Sequence, residues 1–139
     1  MSIIGGVDWS DAPEPVQISA GDYEVRISGA VLVENKNLDK DTGVKGHHVK
    51  VTFTTFNCED PDLNGKDLIA RYSTKVTARF MFVQMLSCCG LAPDDLETYD
   101  DLIGCECKVQ IALKRPPLEG RKPESVRAWP EIVRVMALA

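Results

Sequence analysis

The chain has 139 residues, 44% of them hydrophobic and 27% charged, with a formal net charge of −5. That length suits one domain with its own core, and that balance excludes a disordered chain or one drawn to a polyanion by its overall charge. No basic region followed by an apolar run opens the sequence. Its longest apolar stretch, residues 80–86, is too short to span a bilayer, so a cytoplasmic protein without membrane contact is expected.

Residues 1–20 read as an N-terminal arm. They hold Gly5-Gly6, Pro13 and Pro15 and no sustained period, with Trp9 as a docking ring. From Gly21 the strand period begins. Tyr23, Val25, Ile27, Val31 and Val33 share one face, and Gly29 marks a bend or bulge. Residues 35–46 form a polar loop, where Asp39, Asp41 and Gly43 only faintly resemble a calcium loop and no metal is expected. Val49, Val51 and Phe53 alternate with Lys50, Thr52 and Thr54 in a second strand. Asn64-Gly65 then turns the chain into a third strand over residues 67–73.

An almost wholly apolar helix is predicted over residues 76–89, stopped by Gly90 in the left-handed position after the cap. Such a helix is either covered on most sides or part of a contact between subunits. An acidic spacer follows, with Asp94 placed to cap a short second helix. Residues 105–113 alternate as a fourth strand, with Lys108 turned away from the core. Residues 125–129 are predicted as a fifth strand ended by Pro130, and residues 131–139 as a last strand or helical turn. The fold class expected is therefore mainly β with one inserted helix, a five-stranded antiparallel OB-like barrel over residues 21–139.

No catalytic constellation appears. There is no phosphate-binding glycine loop, no G-x-S-x-G and no H-E-x-x-H. The adjacent His47 and His48 point to opposite faces of a strand and cannot share a metal. The acids between Asp94 and Asp101 lie in one segment rather than converging from fixed elements, which argues against a nuclease. Cys58, Cys88, Cys89, Cys105 and Cys107 form no C-x-x-C pair and read as reduced, buried small hydrophobes. Neither enzyme nor cofactor is expected.

What remains is the distribution of charge. Arg71, Lys75 and Arg79 flank the third strand and the helix start. Lys108, Lys114, Arg115, Arg121, Lys122 and Arg127 follow along the fourth strand and the loop after it. Phe56, Tyr72 and Trp129 stand near them in sequence. A basic track beside ring faces is what a single nucleic-acid strand requires: phosphates meet cations, and each base stacked on a ring contributes about 1–3 kcal/mol.

The order Gly21-Asp22-Tyr23-Glu24-Val25-Arg26-Ile27, residues 46–53, Asn64-Gly65-Lys66, an apolar helix ending Cys89-Gly90-Leu91, and Asp101-Leu102-Ile103-Gly104 resembles a family of phage-encoded OB-fold single-stranded DNA-binding proteins. The resemblance covers residues 21–130. It implies a protein of the phage-infected bacterial cytoplasm that coats single-stranded DNA during replication or recombination, with replication or recombination proteins as partners. The C-terminus departs from many such proteins, which end in an acidic tail; here the end is apolar and basic. The alternative reading is a protein-interaction or assembly module, in which the helix over residues 76–89 and the C-terminus form a homo-oligomer or partner interface.

Overall fold

A computed structural model describes residues 3–8, 18–40, 42–114, 120 and 128–138. Five antiparallel strands make one sheet: β1 (Gly21–Leu38), β2 (Lys45–Thr55), β3 (Asp67–Ser73), β4 (Glu106–Lys114) and β5 (Trp129–Met136). Their spatial order is β3-β2-β1-β4-β5, and the single α-helix, α1 (Arg79–Cys88), lies between β3 and β4 in sequence. The mainly β class with one inserted helix is as expected. The word barrel holds only loosely: β3 and β5 are the two edges, and no ladder joins them.

Strand β1 organises the sheet. Its first half pairs with β4 from Gly21↔Ile111 to Arg26↔Glu106, and most of its length pairs with β2. Eighteen residues cannot serve both neighbours flat, so the strand bends at a bulge. The register jumps between Ile27↔Phe53 and Gly29↔Thr52, leaving Ser28 as the extra residue. Its hydroxyl turns outward, donating to the Thr52 carbonyl at 3.3 Å and accepting from Thr54 Oγ1 at 2.9 Å. The bulge inverts the alternation beyond it. Ala30 is buried opposite Val51, and Val31 is exposed opposite Lys50, the reverse of what an uninterrupted period predicts.

The β1–β2 hairpin is longer than the sequence implies. Polar residues 35–38 and Lys45-Gly46 continue the strands, and the turn closes by Asp39 N–H donating to the Val44 carbonyl and Gly43 N–H to the Asp39 carbonyl, both at 2.8 Å. In the arm, Ile3–Ile4 and Val7–Asp8 pair around Gly5-Gly6, whose φ values of 56° and 82° only glycine adopts freely. Ile18 joins the core ahead of β1.

The core lies between one face of the sheet and α1. Val25, Ile27, Val49, Val51, Phe53, Cys107, Val109 and Ile111 fill it from the strands, and Met85, Leu86 and Leu102 from above. Each large side chain fully buried there contributes about 1.5–3 kcal/mol. The helix docks through rings: Phe82 lies 5.6 Å from Tyr72 of β3 and 6.2 Å from Tyr99 of the following segment, centroid to centroid. It ends as predicted. Gly90 has φ +78°, its N–H donates to Ser87 O at 3.0 Å, and Leu91 N–H donates to Leu86 O at 2.9 Å, the paired bonds of a Schellman cap.

Three expectations are corrected. The first turn over Val76–Ala78 is 3-10 rather than α. The acids of the spacer cap 3-10 turns instead of a second helix, and the capping residues are Asp95 and Asp101, not Asp94. Asp95 Oδ2 accepts from Ala92 N–H at 2.8 Å, and Asp101 Oδ2 accepts from Glu97 and Thr98 N–H at 2.8 and 3.2 Å. The last strand begins at Trp129, where the prediction ended one, and it runs through Pro130. Proline is tolerated because β5 is an edge strand whose outer side needs no donor. The C-terminal apolar segment is thus mostly this strand, with Ile132 and Val135 packed on the core.

Candidate nucleic-acid interface

Burial of Val49, Val51, Ala70 and Tyr72 on the inner side fixes what the alternate residues do. Lys50 and Arg71 project from the outer face of β2 and β3, directly opposite each other in register, and Val31 of β1 completes their row. The next row holds Val33, His48 and Ser73. The extended hairpin overhangs these rows and makes a cleft of about 690 Å³, lined by Lys36, Asn35, His48, Lys50 and Arg71 among others. That volume admits a stretch of chain rather than a single ion.

The charge in the cleft is uneven. Its two carboxylates, Glu34 and Asp39, are each held by a lysine beyond the lining: Lys45 Nζ lies 3.9 Å from Glu34, and Lys75 Nζ 3.8 Å from Asp39. Lys36, Lys50 and Arg71 have no ion-pair partner among the described residues. His48 Nδ1 is 2.6 Å from Asn35 Oδ1, which fixes the ring against the cleft wall. A second, smaller cleft shares Asn35, Asp39 and Gly46 with the first and brings in Lys75 and Arg79 from the end of β3. Arg79 is oriented by its Nε–H donating to the Thr74 carbonyl at 2.6 Å.

Arg71 also borders the open seam between β3 and β5. There a groove runs past Tyr72, Met81, Gln84 and the β5 residues 131–135, including Arg134. Beyond it Lys114 stands opposite Trp129 and makes a 3.9 Å ion pair with Glu131. The fold therefore sets Arg71 in the first cleft, Lys75 and Arg79 in the adjoining one, and Arg134 with Arg71 along the seam. Arg115, Arg121, Lys122 and Arg127 lie outside the described residues.

Two expected contributors are placed elsewhere. Lys108 faces outward opposite Glu24, in a pocket shared with Asp22, Glu59 and Asp60, so its field is offset by acids. Tyr72 is 8% exposed and serves the core; burial is the chief cause that pushes its hydroxyl well above the ordinary tyrosine range. Phe56 is half-buried with the Arg26 guanidinium 4.9 Å above its ring, so one of its faces is occupied. Trp129, 47% exposed, is the ring left accessible among the three.

Comparison with protein-family models gives no match, and neither does comparison with curated proteins. The functional reading thus rests on the geometry of this chain together with the resemblance described above.

Lys36 and Lys50 are the cleft residues that sequence reasoning overlooks. The strand period does put Lys50 on the outer face, but only the β2–β3 register reveals Arg71 as its neighbour. Lys36 looks like part of a loop until the hairpin is seen to extend.

The cysteines offer no competing site. All five are free thiols, and no cluster of His, Cys, Asp or Glu suited to a metal occurs among the described residues. Cys107 is buried, and its interaction with the Cys89 thiol, together with burial, pushes its own thiol up. No described helix is long and apolar enough to cross a membrane.

Proposed function

We propose that this protein binds single-stranded DNA without chemistry, holding the phosphodiester backbone along the outer face of β1–β3 and presenting bases toward the open seam. The observation that carries the reading is the set Lys36, Lys50 and Arg71, three cations in one cleft whose acids are already neutralised by other lysines. Opposed like charges on neighbouring strands destabilise a sheet, and a bound phosphate removes that cost. Arg79 and Arg134 extend the positive track on either side. Trp129 supplies a stacking face, whereas Tyr72 does not.

The resemblance to phage single-stranded DNA-binding proteins adds a setting, protection of DNA during phage replication or recombination in the bacterial cytoplasm, with the proteins of those processes as partners. Fluorescence anisotropy with an oligo-dT and with a duplex of equal length tests the reading. Stronger binding to oligo-dT at low salt is expected, tolerant of base sequence. Equal affinity for both, or none for either, overturns it.

A further inference from the structure

The outward face of α1 meets no partner among the described residues. Successive α-helical residues turn about 100°, so Phe80, Val83 and Ser87 share one face of α1, opposite the inward Phe82, Met85, Leu86 and Cys89, and Val76 lies on the 3-10 turn ahead of it. Val76 is 75% exposed, Phe80 66% and Val83 43%. Three exposed large apolar side chains within eight residues mark a candidate contact surface.

The stripe is asymmetric in two ways. Its N-terminal end is bulky, with Phe80, and its C-terminal end is small, with Ser87. Its charges are also opposed. Lys75 and Arg79 flank the N-terminus, while Asp94, Asp95 and Glu97 follow the C-terminus, with no acid in the first turn and no base in the last. That is the reverse of what the helix dipole favours, so the arrangement does not stabilise this helix from within.

Both asymmetries are resolved by one occupant. We propose that a second copy of this chain packs on the stripe with its α1 antiparallel, about a two-fold axis near Val83. Phe80 of each copy then enters the space beside Ser87 of the other, and the two Val83 side chains meet at the axis. The basic N-terminal flank of each helix faces the acidic spacer of its partner, and the two helix dipoles oppose. A two-fold contact is self-complementary by construction, and this stripe is complementary to itself only when inverted. The proposal shares Arg79 with the positive track proposed for nucleic acid, but the outer sheet face that holds Lys50 and Arg71 takes no part in it, so Val83→Asp tests it separately.

Light scattering coupled to size exclusion on the full chain, between about 1 and 100 µM, tests it. The expected mass is twice 15.3 kDa. Val83→Asp, which sets like charges across the axis, is expected to give a monomer with an unchanged circular dichroism spectrum and melting temperature. The charge reversals Arg79→Glu and Asp94→Lys are each expected to weaken the dimer at least tenfold, and together to restore it. A monomeric wild-type chain throughout that range overturns the proposal. So does a Val83→Asp dimer, or a double reversal no tighter than the single ones.

Discussion

Lys50 and Arg71 occupy opposed positions on adjacent strands of the outer sheet face, and neither meets a carboxylate among the described residues. A sheet selected for stability alone would place opposite charges there. The pair is therefore a cost that the fold carries.

The cost is measurable. Lys50→Glu converts the repulsive pair into an attractive one and is expected to raise stability by about 0.2–1 kcal/mol, the range of a single cross-strand pair. Urea denaturation of the isolated protein checks the sign, and the same variant is expected to lose oligo-dT binding. A stability that falls would mean the two side chains are already satisfied in the free protein.

Trp129, at the start of β5, is the accessible ring among the three candidates. Replacement by Ala is expected to weaken oligo-dT binding by about 1–3 kcal/mol while leaving binding of a phosphate-only polymer such as polyphosphate unchanged. Equal losses with both ligands would assign the effect to the neighbouring Lys114 rather than to stacking.

Thr55, 2% exposed at the end of β2, holds the connection to β3 in place. Its hydroxyl donates to the Leu63 carbonyl at 2.6 Å and accepts from Lys66 N–H at 2.9 Å. Thr55→Val keeps the shape and removes both bonds, so a destabilisation of about 1–3 kcal/mol is expected from the urea midpoint. The effect on DNA affinity should be small, because Lys66 and Leu63 line neither basic cleft.

Asp101 links the acidic spacer to pH. Two backbone donors, Glu97 and then Thr98, hold its carboxyl below the ordinary aspartate value of 3.8. A lowered folded value contributes stability that is present above the unfolded pKa and is lost as pH falls through the folded one. Asp101→Asn is thus expected to lower the urea midpoint at pH 7 and to match the wild type once the pH has fallen below the folded value. A gap of the same size at both pH values would show that the charge has no part in the cap.

Much of the fold was legible because it depends on local chemistry. The strand period marked β2, β3 and β4 closely, and Gly90 announced the end of α1 through a backbone conformation that other residues resist. The errors came from non-local causes. Gly29 marked the bulge, which falls at Ser28 beside it, but not that the alternation inverts beyond it, as β1 serves β2 and β4 at once. Tyr72 looked like a stacking ring until the helix that Phe82 brings over it was placed. Pro130 signals a strand end only if the strand is internal, and β5 proved to be an edge. The candidate site was half visible: Arg71, Lys75 and Arg79 could be named from sequence, but their assembly with Lys36 and Lys50 required the register.

The salt dependence of oligo-dT binding tests the central claim most directly. If Lys50 and Arg71 each neutralise a phosphate, their joint replacement by Ala lowers the slope of log affinity against log salt by about 1.4, at about 0.7 per phosphate on a single strand. An unchanged slope in the double variant would contradict the account, because the phosphates would then be held somewhere other than the outer face of β2 and β3.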